Sequence, residues 1–224
     1  MRRQLEPALL GATITAFAVL DSRWCMPRLP AELSDIVVGR RVQALRRRGK
    51  YLDWVLDEEI HLLMHLRMTG TLLLGGVANP PHTRVEITFD GHRPLRFIDP
   101  RRFGTGQLLV GDDEFERFLA LRLGIEPFDE AFTPALLRAL ARGRRGPIKS
   151  FLLDQHKIAG IGNIYADEAL FRSGVHPRRA AGALKPGQYV RLREAIREVL
   201  AAGINAHGAS IDDFRDVEGV RGSF

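Results

Sequence analysis

The chain has 224 residues, of which 45% are hydrophobic, a length and composition that allow one large core or two modest ones. It has no run of eighteen apolar residues, and its start lacks the apolar stretch of a signal peptide, which predicts no membrane span or secretion signal and favours a cytoplasmic location. The net charge of +6 is compatible with a polyanionic partner, although a bias toward Ala, Gly and Arg produces the same charge. Cys25 is the single cysteine, which excludes an internal disulfide and a four-cysteine zinc site formed by this chain alone.

The first half of the chain has the pattern of β-strands. Residues 13–110 contain short β-branched or alternating segments separated by Gly and Pro, as in the alternation of polar and apolar side chains over 84–89. A short helix is predicted before them, over 2–10. Further strands are predicted over 41–45, 51–56, 60–66, 71–74, 95–98 and 106–110, enough for two antiparallel sheets packed on each other.

The second half has helical spacing. Thr133 and Pro134 provide an N-cap followed by proline at the first helical position, and Gly143 ends that helix. A last long helix is predicted over 186–202, with one apolar face formed by Leu192, Ile196, Val199 and Leu200.

This change of period predicts two domains, a β-sandwich over 1–121 and a helical domain over 122–224. The segment L-G-I-E-P-F-D-E between them carries Gly124 and Pro127 and is the expected hinge. The predicted fold class is therefore α+β, with an N-terminal two-sheet antiparallel β-sandwich followed by a helical domain.

Residues 149–174 predict two helices joined by a long turn. Gly160 and Gly162 permit positive φ and close backbone approach in that turn. Asn163 begins the second helix, where free N–H groups and the positive end of the helix dipole favour an anion such as phosphate. A helical hairpin with no nucleic-acid role has the same pattern, so the turn by itself leaves the function open.

Basic residues lie at two further turns. Lys50 follows Arg46, Arg47 and Arg48, and neighbouring cations lower the pKa of a partly shielded lysine, which suits it to proton transfer. Arg144 and Lys149 flank the start of a helix, where cations oppose the dipole and suggest an external anion; solvated basic turns are the alternative interpretation at both places.

Three other positions have two interpretations each. The turn D-P-R-R-F-G presents Arg101 and Phe103 from the edge of a sheet, or else places the phenylalanine in the core. Met68, in H-L-R-M-T-G, taken by itself favours a core position, and His82 favours a surface turn.

Six segments together resemble the formamidopyrimidine-DNA glycosylase family, bacterial enzymes that excise oxidised purines such as 8-oxoguanine from DNA. They are R-R-Q-L-E-P-A-L-L-G-A-T-I, G-K-Y-L, H-L-R-M-T-G, D-P-R-R-F-G, L-G-I-E-P-F and the hairpin over 149–174, which resembles the family's helix-two-turn-helix element. The resemblance implies a base-excision repair enzyme, a bifunctional DNA glycosylase and AP lyase that acts as a monomer on damaged double-stranded DNA, away from membranes.

The resemblance also implies roles for individual residues. Lys50 matches the proton donor of the strand-cleaving elimination. Met68, Arg101 and Phe103 match the side chains that fill the void left by a flipped base, a task that any enzyme acting on an extruded base requires. The matched DNA-binding residues are His82, Arg101, Arg144, Lys149 and Asn163.

Both ends of the sequence depart from the family pattern. Family members begin Pro-Glu-Leu-Pro-Glu-Val-Glu, with the proline amine as nucleophile and the glutamate as acid or base, and they end in a four-cysteine zinc finger. This sequence contains neither segment and stops at Phe224, within the loop that caps the lesion in the family. We therefore expect a truncated chain with impaired activity, and we expect zinc in the full-length protein but none bound by the residues of this chain.

Two alternatives remain at this point. Endonuclease VIII, which acts on oxidised pyrimidines, is a sister enzyme, although D-P-R-R-F-G favours the purine-directed branch. A non-catalytic nucleic-acid-binding protein with a helix-two-turn-helix is the other, and Lys50 with the void-filling motifs argues against it.

Overall fold

The computed structural model describes residues 1–76, 80–206 and 217–220. By the density of its internal contacts the chain divides into two compact units. The first contains Met1–Arg117 together with the end of the chain from Ala206, and the second contains Phe118–Asn205. The domain boundary at 121 and 122 stays a prediction.

The first unit is built from two antiparallel sheets of four strands, as the sequence predicted. Their strand orders are β1-β6-β7-β5 and β2-β3-β4-β8. The strands are β1 (Ile14–Val19), β2 (Val42–Arg48), β3 (Tyr51–Leu56), β4 (Ile60–His65), β5 (Thr71–Leu74), β6 (Thr83–Phe89), β7 (Leu95–Ile98) and β8 (Thr105–Val110). The unit also contains the helices α1 (Arg2–Leu9) and α2 (Pro30–Val37) and a short 3-10 helix (Ser22–Cys25).

The strand β1 and the helix α2 were absent from the predicted elements. A register shift between Ile14 and Ala16 interrupts the pairing of β1 with β6, so its burial does not alternate regularly. The helix α2 has eight residues and buries Leu33 and Val37, which is too few apolar positions for a clear helical period.

A single hydrophobic cluster contains buried side chains of both sheets. Trp54 of β3 and Phe89 of β6 are stacked with their ring centroids 6.1 Å apart, which joins one sheet to the other. Phe97 of β7 lies with its ring 5.9 Å from that of Trp24, edge to face. Full burial of each such side chain contributes about 1.5 to 3 kcal/mol.

The strand β4 is buried at every position because both of its faces are covered. On the side away from the cluster, His61 stacks on Phe115 of the helix α3 (Asp112–Ala120), with ring centroids 4.1 Å apart. Its Nδ1 lies 3.0 Å from Asp53 Oδ1 and its Nε2 lies 3.0 Å from Asp112 Oδ1. Burial raises the pKa of the Asp53 carboxyl. These contacts fasten the first turn of α3 to the sheet.

The second unit is helical. Its helices are α4 (Pro134–Ala141), α5 (Ile148–Leu153), α6 (Asn163–Ser173) and α7 (Pro186–Asn205), with a 3-10 turn at Ala181–Ala183. The predicted N-cap is present, since the Leu136 amide donates to Thr133 Oγ1 at 3.1 Å. The last helix extends three residues past its predicted end, to Asn205.

The segment expected to act as a hinge is bonded to the rest of the second unit. The amide of Gly124 donates to the carbonyl of Gln155 at 2.8 Å, and that of Ile125 donates to the carbonyl of Lys157 at 3.2 Å. A Cβ atom at Gly124 would lie 2.3 Å from the Lys157 carbonyl oxygen, so the approach of the two backbones requires glycine. None of the helices in the described residues has the length and apolar character needed to cross a membrane.

Gly106 of β8 provides a test of core packing. A Cβ atom there would lie 2.0 Å from the ring of Trp24, which is 2% exposed and has no room to move aside. We expect Gly106→Ala to lower the free energy of unfolding by about 1 to 3 kcal/mol or more through overpacking, as measured by thermal or denaturant unfolding. Gly146→Ala is the matched control, since nothing lies within 4 Å of its Cβ position. Equal losses in the two variants would contradict the packing argument.

Candidate functional site

Lys50 lies in the turn between β2 and β3, directly after Gly49, whose φ is 57°. The residue is exposed, yet the protein atoms around its ammonium group reduce its hydration, which lowers the pKa of Lys50, and the charge of Arg67 lowers it further. The direction agrees with the sequence prediction. The cation responsible is different, since Arg67 comes from the turn after β4 and not from the arginines at 46–48. An amine with a lowered pKa is suited to proton transfer near neutral pH.

His65, which the sequence analysis did not select, lies beside this lysine. It pairs across the strands with Tyr51, and the two rings meet edge to face with centroids 4.9 Å apart. Its Nδ1 accepts the amide N–H of Arg67 at 3.0 Å. Burial, followed by the charges of Arg67 and Lys50, lowers the pKa of His65 to about 4, so the imidazole is neutral at pH 7. The register of the β3–β4 hairpin is the signal that could have found it.

Met68 and Phe103 lie on two exposed loops. Met68 is 65% exposed and Phe103 is 51% exposed, so neither belongs to the core. The guanidinium of Arg101 lies over the Phe103 ring, 4.9 Å from its centroid. The core position that Met68 suggested by itself is therefore wrong, because the chain turns outward at Arg67, whose φ is 57°.

The two loops share one buried carboxylate. Asp99, which has no exposed surface, accepts hydrogen bonds from the Thr69 hydroxyl, from the Arg101 amide at 3.2 Å and from the Gly104 amide at 2.7 Å. These bonds connect the motif H-L-R-M-T-G to the motif D-P-R-R-F-G.

The adjacent arginines of D-P-R-R-F-G have different partners. Arg102, with φ of 60°, forms a two-pronged ion pair with Asp21, at 2.5 Å from Nε to Oδ2 and 2.8 Å from Nη2 to Oδ1. The hydrogen bonds from Arg102 hold the pKa of Asp21 at about 2. Arg101 remains over Phe103.

His82 lies in the turn that precedes β6. Its φ is 67° and its side chain is exposed. Its carbonyl oxygen accepts the amide N–H of Asp99 at 3.0 Å, so the backbone that carries His82 is bonded to the start of the D-P-R-R-F-G loop.

In the second unit, Lys149 and Asn163 lie at the starts of neighbouring helices. Lys149 Nζ is 2.9 Å from Asp167 Oδ2 of α6. Asn163 is exposed at the first position of α6, and no acidic residue occupies the first turn of that helix. The amide end of α6 therefore carries no compensating negative charge. Arg144 is exposed after the end of α4.

The turn before α6 is held by one side chain. Gln155 accepts the Gly160 amide at 2.8 Å through Oε1 and donates to the Ile161 carbonyl at 2.9 Å through Nε2. Gly160 has a φ of 89°, as the sequence prediction allowed. Gly162, at −105°, has extended backbone that other residues also adopt.

The residues of this chain do not fit a four-cysteine zinc site. Cys25 is buried, and its Sγ lies 3.4 Å from each of the carbonyl oxygens of Ser22 and Arg28. Within residues 1–76, 80–206 and 217–220 there is no group of three or more His, Cys, Asp and Glu side chains that could hold a metal ion.

Comparison with known proteins identifies the two halves separately. Residues 1–106 match the formamidopyrimidine-DNA glycosylase N-terminal domain, and residues 123–215 match the H2TH domain of the same glycosylase. The formamidopyrimidine-DNA glycosylase of Methylococcus capsulatus is 44% identical over 226 residues, which cover all of this chain and 82% of the relative. That of Moorella thermoacetica is also 44% identical, with the same shares covered.

The solved structures that this chain resembles belong to the same glycosylase family. The MutM (Fpg) protein from Thermus thermophilus has a TM-score of 0.88 at 38% identity, covering 100% of this chain and 81% of that one. The Lactococcus lactis Fpg in complex with DNA containing an abasic site has a TM-score of 0.90 at 32% identity, covering 99% and 82%. A sandwich unit followed by a helix-two-turn-helix unit, with these matches, defines a DNA glycosylase of DNA repair. The chain belongs to the formamidopyrimidine-DNA glycosylase family.

The origin of the lowered Lys50 pKa can be tested by charge removal. We expect Arg67→Gln to raise the pKa of Lys50 toward its ordinary value, because a positive charge near the amine is lost. The pKa can be followed by NMR of the Lys50 side chain or by the pH dependence of its acetylation rate. Arg48→Gln removes the same charge from the adjacent run and serves as control; an equal rise in both variants would contradict the assignment to Arg67.

His65 predicts a pH dependence of stability. Its folded pKa of about 4 lies below its ordinary value of 6.5, so between these pH values the unfolded chain takes up a proton that the folded chain does not. Stability is therefore lost as pH falls from about 7 to 4, by about 3 kcal/mol from this group. His65→Gln should flatten that part of a stability profile measured by denaturant unfolding, and an unchanged slope would contradict the burial of a neutral His65.

Proposed function

We propose that the chain acts in base-excision repair as a bifunctional DNA glycosylase and AP lyase that removes oxidised purines, 8-oxoguanine and formamidopyrimidines, from duplex DNA. The pair of exposed loops that carry Met68, Arg101 and Phe103 is the observation that most supports this proposal. Met68 and Phe103 are apolar and exposed on short bonded loops, which suits them to enter a base stack, and the Arg101 guanidinium lies over the Phe103 ring. A mutant of the Lactococcus lactis Fpg has also been solved in complex with DNA containing Fapy-dG.

Phosphate contacts are proposed on both units. In the first, His82 is the proposed phosphate contact and is exposed, whereas Arg101 is proposed to contact DNA in the void left by the flipped base, facing the orphaned partner base. In the second, the proposed contacts are Arg144, Lys149 and Asn163, and Asn163 lies at the amide end of α6, which favours a phosphate. Lys149 already has a carboxylate partner in Asp167, so phosphate binding exchanges one anion for another at its ammonium group.

Lys50 is proposed as the proton donor in the elimination steps and not as the attacking amine. In glycosylases that are also lyases, an amine attacks the sugar C1′ and the base leaves, giving a covalent Schiff base from which the strand phosphate is then eliminated, so that the strand is cut. A proton donor needs an amine that gives up its proton readily, and the surroundings of Lys50 lower its pKa in that direction. Zinc is expected only in a four-cysteine finger of the full-length family, and no step of this proposal requires it.

Binding is the decisive measurement, because the affinities for different damaged duplexes report lesion recognition directly. We expect the chain to bind duplexes containing 8-oxoguanine or formamidopyrimidine more tightly than undamaged duplexes or duplexes with an oxidised pyrimidine, as measured by fluorescence anisotropy competition. With about four to six phosphates neutralised, log K should fall against log salt with a slope of roughly −4 to −5. Lys149→Ala and Asn163→Ala should weaken binding.

Lys185→Ala is the matched control, since it removes an exposed lysine of the same unit for which no phosphate contact is proposed. A slope near zero, or the same loss in the control as in Lys149→Ala, would overturn the proposed DNA contacts. Preference for the oxidised pyrimidine would overturn the purine assignment and favour an enzyme like endonuclease VIII.

A further inference from the structure

Asp99 ends the strand β7 and fixes two loops at once. Its Oδ1 accepts from the Thr69 hydroxyl and, at 3.2 Å, from the Arg101 amide, and its Oδ2 accepts from the Gly104 amide at 2.7 Å. The first bond reaches back thirty residues to the loop of Met68, and the other two close the loop of Phe103.

The backbone of the same residue is also bonded. Its amide donates to the His82 carbonyl at 3.0 Å, and its carbonyl accepts from Arg84 Nε at 2.9 Å. A buried carboxylate of this kind is stable because each oxygen accepts a hydrogen bond. Removing one donor leaves a buried carboxylate oxygen with fewer hydrogen bonds, which costs free energy.

The buried ring of Phe97 packs against a glycine of each loop. A Cβ atom at Gly70 would lie 2.8 Å from that ring, and one at Gly104 would lie 2.3 Å from it. Both glycines therefore rest directly on the ring, one beside Thr69 and the other beside Phe103. Each loop is therefore held both by packing on the Phe97 ring and by hydrogen bonds to the Asp99 carboxylate.

We infer that Asp99 is a positioning residue for lesion recognition, which acts with the Thr69 hydroxyl to hold Met68, Arg101 and Phe103 in the arrangement that enters the DNA. The inference rests on the proposed function. Unstacking a base costs a few kcal/mol, so side chains that fill the void are effective when they are already ordered and lose little additional entropy on binding. The bond between Thr69 and Asp99 makes the two loops one preorganised unit.

The test separates the hydroxyl from the shape of the side chain. Thr69→Val keeps the shape and removes the donor, whereas Thr69→Ser keeps the donor. The measured quantity is the ratio of affinities for a duplex with a tetrahydrofuran abasic analogue and for the undamaged duplex, at one salt concentration. We expect Thr69→Val to lower this ratio by about tenfold, with affinity for undamaged DNA nearly unchanged, and Thr69→Ser to retain it. Fluorescence of 2-aminopurine opposite the analogue should report the same loss of void filling.

Thr133→Val is the matched control for stability, because it removes another threonine hydroxyl bond, at the N-cap of α4 in the second unit. It should lower the melting temperature and leave the affinity ratio unchanged. Asp99→Asn is the second variant if Thr69→Val is poorly folded: its amide group places a donor against the Gly104 N–H or the Arg101 N–H, and we expect the same loss of ratio.

The outcomes distinguish the two proposals. A wild-type chain that binds the analogue and the undamaged duplex equally would overturn the proposed function. A wild-type preference that Thr69→Val and Asp99→Asn both retain would leave the proposed function standing and overturn the role of Asp99. Loss of preference in Thr69→Ser as large as in Thr69→Val would also overturn it, since the hydroxyl would then have no part.

Discussion

The contact of the Phe97 ring with two glycines is the constraint on which the exposed part of the first unit depends. Phe97 belongs to the core, where it packs edge to face on Trp24, and Trp24 in turn fills the space above Gly106. Protein interiors have few voids and low compressibility, so a displacement of one packed side chain displaces the residues that contact it. The exposed loops therefore take their geometry from the centre of the sandwich, and the chain turns outward at places that the core determines.

The first unit also contains a group of basic side chains, Lys50, Arg67 and His65, that affect one another's electrostatics. Burial and the charge of Arg67 lower the pKa of Lys50, and His65 beside them stays neutral because it is buried. A positive charge on His65 would be unfavourable in the protein without DNA, because the imidazole is buried and lies near two cations. The arrangement leaves two positive charges for an anionic ligand, while the imidazole next to them contributes none near neutral pH.

The regular elements could be predicted from the sequence where each strand or helix had one exposed and one buried face. The alternation over 84–89 marked β6, and the N-cap Thr133 marked α4. The strand β4 was also predicted although both of its faces are buried, whereas the bulge at Ile14 hid β1. Within the candidate site, composition and motif identified Lys50, but only the register of β3 on β4 brought His65 to it. Nothing in D-P-R-R-F-G distinguishes Arg101 from Arg102; the tertiary pair with Asp21 does so, and that partner lies 81 residues away.

Two of the arginines in these loops occupy backbone that suits glycine. Arg67 and Arg102 both have left-handed φ, at 57° and 60°, a conformation that costs an L-residue with a Cβ on the order of 1 kcal/mol. At Arg102 the ion pair with Asp21 offsets that strain, whereas at Arg67 a glycine would relieve it and also remove a charge next to Lys50. Selection for thermal stability alone, in a directed-evolution experiment without DNA, would therefore favour glycine in place of Arg67. At that position stability and the lowered pKa of Lys50 are in direct competition.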